Sequence, residues 1–404
     1  MVAWRGYEFD MKDYEIFLQL KNNPSSTLHE IKSAVNTSSE ISVSIETVRT
    51  RLLQMKEKGF LRVDKEITDP ILGKRIQTEI EVVYLPHELG LRRQHVFFHQ
   101  VPDRKSLNKL KLLCDEHPYT HYRTVAYSRG AVFYAQFDIP PATENEMKSL
   151  FEDLQKQGLF ESFQTQNSLY TSKIPADFSQ WDKKSNTWKI ESALKSEPGL
   201  KQSALDIIWD KMIEHEKEIP SLPALELKKK VSLDSLDKLL LRELTINSKI
   251  PKKDLGDHHN RDPTTISRRV KKIRKSVAPD EQLYYDRSVF DLTYPQAIIG
   301  YFRPNSELNN STLHHFVRSK LVPFECQLVS DEDSFVLFTT SSPSFAPEFS
   351  EFIWEHADNV SVLQMQFDSA FTYYFYHENH NDEIGWKTDQ SYVRDVPLAA
   401  LRTH

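Results

Sequence analysis

The stretch DKLLLRELTINSKIPKKDL, Asp237–Leu255, followed after NRDP by TTISRRVKKIRK, Thr264–Lys275, decides how the rest of the chain is read. Leu236, Leu239, Leu240 and Leu244 recur at helical spacing and predict one apolar face. A second short helix is expected near Pro251, with Leu255 turned inward. Asp262 is a good N-cap and Pro263 suits the first helical position. The helix they open carries Ile266, Val270 and Ile273 at i, i+4 and i+7, a narrow inward stripe. Three short helices with a tight turn before the third predict a helix-turn-helix.

Charge then points to a partner. Six of the twelve residues Thr264–Lys275 are basic and none is acidic, in a chain of formal net charge −6. From Lys228 to Lys275 there are 15 Lys/Arg against 6 Asp/Glu, whereas Ala278–His404 has 7 against 19. With the apolar stripe buried, a 100° step per residue places Thr264, Arg268, Lys271 and Lys275 on the opposite face, flanked by Thr265 and Lys272. In this fold the third helix enters the major groove of double-stranded DNA. Thr265 and Arg268 are the expected base contacts, with Thr264 and Ser267 beside them at the helix N-terminus. Lys271, Lys272, Arg274 and Lys275 are expected near phosphates, where they add affinity and salt dependence, and Arg269, nearer the edge of the face, is counted with the DNA-binding residues. Lys252 and Lys253 would fix the backbone register. The competing reading is a basic helix facing an acidic protein, or the chain's own acidic region.

The pattern occurs twice. DYEIFLQLKNNPSSTLHEI, Asp13–Ile31, aligns without a gap on Asp237–Leu255, and ETVRTRLLQM, Glu46–Met55, falls on Thr264–Ile273 after a six-residue difference in the turn. Ser44 stands where Asp262 caps the second copy. The first copy is nearly neutral, with 11 Lys/Arg and 9 Asp/Glu over Lys12–Arg75. Its third helix, 45–58, offers Thr47, Arg49, Thr50 and Arg51 to a second DNA contact. The two β-type stretches after Gly59 read as a wing with Lys74 and Arg75 near its tip.

Each helical module precedes a β-α-β-β-α-β pattern, the ferredoxin-like order. The fold class expected is therefore α+β, two (winged) helix-turn-helix domains each followed by a ferredoxin-like domain. The segments are 8–90 winged helix-turn-helix, 91–175 ferredoxin-like, 176–231 a partly helical connector, 232–290 helix-turn-helix, 291–380 ferredoxin-like and 381–404 a tail.

Leu233, Asp234, Asp237, Thr265, Ile266, Arg269 and Val270 occupy the positions of L-D-x-x-D and T-[VI]-x-x-R-[VI], so the chain resembles Lrp/AsnC-type transcription regulators. The resemblance covers Leu233–Tyr374 well and Asp13–Ser172 more loosely. It implies a sequence-specific transcription regulator with a ligand-sensing ferredoxin-like domain. Two fused units imply an internal pseudo-dimer, with homodimerisation of the chain left open. The family's glycine-and-aspartate turn is kept only in part, as Gly130 in one copy and SDEDS without glycine in the other. This argues against an amino-acid effector there, while the resemblance still implies a small-molecule effector at these domains. Relatives of the architecture include siroheme decarboxylases. Their substrate needs a basic pocket, to which Arg92, Arg93, Arg104, Arg123 and Arg129 of the first copy could contribute. A scaffold for transcription machinery that does not touch DNA is the third alternative.

Other chemistry finds little support in the residues. Ten glycines and no glycine-rich phosphate loop lead to the expectation of no enzyme and no cofactor. His95 and His99 lie on a predicted strand, roughly 13 Å apart and too far to share a metal. HPYTH, His117–His121, reads as a turn, so no metal site is expected. His258–His259 and His314–His315 read as helix-surface pairs. Trp181, Trp188 and Trp386 suggest a repeated feature packed on each domain. Cys114 and Cys326 read as buried thiols of a reducing cytosol. No apolar run is long enough to span a membrane, and the N-terminus lacks a signal core, so a cytoplasmic location is expected.

Overall fold

The computed structural model describes residues 2–4, 7–62, 65–68, 75–190, 204–215, 223–225, 227, 232–319 and 321–401. It is of the α+β class, and its two compact units each draw on both halves of the sequence.

The first unit comprises Met1–Glu88, Lys183–Asn186 and Lys230–Phe290. It contains two trios of helices, Met11–Asn22, Leu28–Ser38 and Ile45–Glu57, then Ser235–Ile246, Lys252–His259 and Pro263–Ser276. Capping sets the boundaries. Asp10 and Asp234 each accept from the backbone of their helix's first turn, Ser44 accepts from Thr47, and Asp262 accepts from Thr264 and Thr265. The trios are joined by a strand pair, Ile80–Val83 antiparallel to Asp280–Leu283, extended by a bridge between Leu61 and Tyr285. Over it packs an aromatic cluster in which Phe17 stacks on Phe290 at 5.2 Å and meets Phe60 at 5.2 Å and Tyr285 at 4.9 Å. Strands Lys65–Thr68 and Arg75–Thr78 pair as a hairpin. Lys74, expected at its tip, lies outside the described residues, as does the side chain of Arg75.

The second unit comprises Leu89–Asp182, Thr187–Lys229 and Asp291–His404. Its nine-stranded sheet runs Tyr170–Ile174, Glu325–Ser330, Ser334–Ser341, Tyr294–Phe302, Ala357–Thr372, Thr120–Tyr127, Ala131–Ile139, Arg92–His99 and Ser162–Asn167. Eight of these strands thus form two sets of four, one from each half of the chain and each in the order second, third, first, fourth, and Tyr170–Ile174 of the first half is the ninth. Only Ser168 and Leu169 separate the strands at the two ends of this order, so Ser162–Ile174 ties one edge to the other. Gln166 on one end strand accepts from Ser334 at 2.7 Å and donates to Asp331 at 2.8 Å, beside the opposite end. One apolar core, including Phe97, Tyr134, Ile299, Val336 and Leu363, draws on strands of both halves. After each four-strand set comes a small hairpin. Trp181 pairs with Trp188 at 5.3 Å, and the Trp386 indole N–H donates to the Leu89 carbonyl at 2.9 Å.

Candidate nucleic-acid interface

Helix Pro263–Ser276 begins where its sequence dictates. Asn260 takes a left-handed φ of 51°, and Asp262 then accepts from the amides of Thr264 at 2.8 Å and Thr265 at 3.4 Å. The turn is tight enough that a Cβ on Gly256 would stand 2.7 Å from the Arg261 carbonyl oxygen. Ile266, Val270 and Ile273 are buried against the other two helices. That leaves Thr264, Arg268, Lys271, Lys272 and Lys275 exposed, with Thr265, Ser267, Arg269 and Arg274 half-buried. Lys252 and Lys253 are exposed at the start of the preceding helix.

The cations divide into two groups. Arg269 turns inward: its guanidinium donates to both Asp234 oxygens at 2.8 and 2.7 Å and to Asp237 at 2.7 Å. Lys272 donates to the other Asp237 oxygen at 2.8 Å and to the Ser232 carbonyl at 2.7 Å. Arg274 pairs with Glu281 and donates to the Ser248 carbonyl at 2.9 Å. Burial raises the Asp234 carboxyl, but the Asp237 amide and Arg269 outweigh it and hold it below its ordinary value. Ser232, Asp234, Asp237, Arg268, Arg269 and Lys272 line a hollow of about 400 Å³ beside the helix. Among the described residues, Arg268, Lys271, Lys275, Lys252 and Lys253 meet no carboxylate within ion-pair distance.

The first trio repeats the inner clamp and not the outer charge. Arg51 donates to Asp10 at 2.9 Å and to Asp13 at 3.2 Å, as Arg269 does to Asp234 and Asp237. Burial pushes the Asp13 carboxyl up to about 6. On helix Ile45–Glu57, Arg49 pairs with Glu46 at 2.8 Å, Thr47 shares a hydrogen bond with Ser44 at 2.9 Å, and Thr50 is exposed beside Leu53. Glu79 then ties the trios together, accepting from Lys56 at 2.8 Å and from Lys249 at 2.6 Å.

The sequence pointed to the face of the helix, and the L-D-x-x-D carboxylates that consume Arg269 and Lys272 were legible only as a motif. Their spacing of 35 and 32 residues from Arg269 gives no local signal of the pairing.

Elsewhere the titratable groups are mostly structural. His95 is buried between the Tyr134 hydroxyl at 2.6 Å and Ser168 at 3.1 Å, and desolvation lowers it to about 3. His314, expected on a helix surface, is instead buried, with Ser172 and Ser330 each at 2.8 Å. Strand Tyr170–Ile174 covers its helix, which no local pattern announces. Arg92 pairs with Glu144 at 2.5 Å, Arg93 with Asp138 at 2.7 Å, and Arg123 with Asp115 at 3.2 Å, while Arg104 and Arg129 are exposed. Cys114 and Cys326 are buried, and burial pushes Cys326 up to about 12. Asp206, Glu355 and His356 bring one ligand atom each within 4.8 Å, the group among the described residues that could hold a metal ion. No helix among the described residues is long and apolar enough to cross a membrane.

No family model matches the chain, and no curated protein matches it. Among solved structures it is similar to the siroheme decarboxylase NirDL, at 9% identity and a TM-score of 0.45 over 96% of this chain and 99% of that one. The same enzyme in co-complex with an iron-uroporphyrin III analogue matches at 8% identity and a TM-score of 0.47, over 90% and 96%. AsnC of E. coli matches at 20% identity and a TM-score of 0.27, over 41% of this chain and 94% of its own. The expectation that the chain is not an enzyme is not upheld: two structures similar to it over 90% or more of its length are of an enzyme. The missing phosphate loop bears on nucleotide chemistry alone, and one fold serves both catalysis and DNA binding. In fold the chain is similar both to Lrp/AsnC regulators over part of its length and to siroheme decarboxylase NirDL over nearly all of it.

Proposed function

We propose that the chain is a tandem of two helix-turn-helix plus ferredoxin-like units and that it binds double-stranded DNA through helix Pro263–Ser276, as a transcription regulator. The observation that carries this reading is the unpaired basic face of Arg268, Lys271 and Lys275, with Lys252 and Lys253 exposed at the start of the preceding helix. Thr264, Thr265, Ser267 and Arg268 stand at the N-terminal end, where a helix in the major groove meets base edges. Lys271 and Lys275 follow one and two turns later, at the spacing of backbone contacts. Arg269 and Lys272 act as positioning residues, holding the helix to Asp234 and Asp237.

Binding of random-sequence duplex DNA across a salt series tests this. The log–log slope should become shallower by about two or more in Arg268→Ala/Lys271→Ala/Lys275→Ala. No binding at low salt, or an unchanged slope, would refute the reading.

A second reading is an enzyme acting on siroheme or a related tetrapyrrole. Exposed Arg104 and Arg129 favour it, since a carboxylate-rich substrate needs unpaired cations. Arg92, Arg93 and Arg123 are already neutralised by carboxylates and weaken it. Titration with iron-uroporphyrin III, followed by its visible absorbance, should give a saturable shift that Arg104→Ala/Arg129→Ala abolishes. Absence of any shift would exclude this reading.

A further inference from the structure

We infer that duplex DNA is gripped by the second helical trio alone, so that one chain occupies a single, non-palindromic half-site. The inference rests on the DNA-binding reading above and adds which half of the protein carries it.

The two trios can be compared position by position, because their first and third helices correspond in the sequence and in their bounds. What holds the fold is kept. Asp10, Asp13 and Arg51 stand for Asp234, Asp237 and Arg269, with the same ion pairs. Val48, Leu52 and Met55 stand for Ile266, Val270 and Ile273, and the caps Ser44 and Asp262 coincide. What would face phosphate is not kept. Lys252 and Lys253 become Leu28 and His29, Arg268 becomes Thr50, Lys271 becomes Leu53, and Lys275 becomes Glu57, whereas Arg274, itself paired with Glu281, is matched by Lys56. The five free cationic positions thus yield no Lys or Arg, while the arginine of the clamp beneath them is retained and its lysine, Lys272, becomes Gln54.

The arginine that helix Ile45–Glu57 gains is compensated as well. Arg49 replaces Ser267 and pairs with Glu46 at 2.8 Å, and Leu53 presents an apolar side chain that is 54% exposed. Each neutralised phosphate contributes roughly 0.9 to the salt slope. Five free cations on the second trio can therefore supply a slope of about 4.5. The corresponding positions of the first trio supply none.

The test uses the full chain with random-sequence duplex DNA in a salt series, and places acid on each helix in turn. Leu53→Glu/Gln54→Glu should leave affinity within about twofold and the slope unchanged, because at physiological salt charges beyond roughly 8 Å are screened. Arg268→Glu/Lys271→Glu should weaken binding by more than about a hundredfold. The milder Arg268→Gln, with circular dichroism of all variants, guards against loss of fold. A tenfold or greater loss in folded Leu53→Glu/Gln54→Glu would overturn the inference and leave the DNA reading intact. Failure of the wild type to bind any duplex would remove the DNA reading and the inference with it. Sequences selected by the wild type should share one asymmetric block per bound chain; an inverted repeat with centres about 10 bp apart, bound at one chain per duplex, would also overturn the inference.

Discussion

Arg269 belongs by composition to a basic helix, yet its donors point to two carboxylates at the start of another helix, and one of these, Asp237, is 1% exposed. A guanidinium that satisfies a buried carboxylate cannot be removed without leaving that charge short of partners. Arg269→Ala should therefore lower the stability of the first unit by about 1–3 kcal/mol, even with Lys272 still in place. Arg268→Ala, one residue away and exposed, should change it by less than about 0.5 kcal/mol. Thermal melts of the two variants make the comparison. Glu79 offers a pH test at the same scale. Burial raises its carboxyl, but hydrogen bonds and charge from Lys249 and Lys56 prevail and hold it at about 2, against an ordinary value of 4.5. A depressed acid contributes stability that is complete above 4.5 and is lost as pH falls toward 2. Over that interval Glu79→Gln should remove roughly 3 kcal/mol of the pH dependence seen in acid unfolding.

At the scale of elements, the helix starts were readable because capping is local. Asp262 and Pro263 mark the start of Pro263–Ser276, and Ser44 marks that of Ile45–Glu57. The apolar stripe Ile266, Val270, Ile273 fixed which face is hidden, and hence which cations stay wet. Pairings between distant segments were not readable. Nothing in IEVV, Ile80–Val83, indicates that its partner is DEQL, Asp280–Leu283, and nothing in the sequence around His314 indicates that Tyr170–Ile174 covers it. Strand partners depend on tertiary placement, which a period of two does not encode. The turn before the third helix carries its own prediction. In Gly256→Ala the new Cβ would meet the Arg261 carbonyl oxygen at 2.7 Å, so the turn must open. A loss of about 1–3 kcal/mol in a denaturant titration is expected.

For the molecule as a whole, the segment Ser162–Ile174, with its two strands, matters most within the second unit. Tyr170–Ile174 pairs with Cys326–Ser330, while Ser162–Asn167 pairs with Gln94–His99. A proline at Lys173, in the middle of that pairing, would remove a ladder hydrogen bond or clash with the neighbouring strand. Lys173→Pro should lower the stability of the second unit and raise amide exchange across Glu325–Ser330 as well as locally. Exchange confined to Tyr170–Ile174 would show that the two edges are not mechanically joined.

That interleaving also constrains how the protein is made. A ribosome releases Thr120–Tyr127 long before Ala357–Thr372, its antiparallel partner, has been translated. Until then the growing polypeptide carries an open strand edge, the kind of surface that recruits other chains and aggregates. Synthesis of this protein therefore passes through a long interval in which its N-terminal half is adhesive. A truncated product ending before Ala357 should be found with chaperones or in inclusion bodies, and a separately expressed C-terminal half should rescue its solubility.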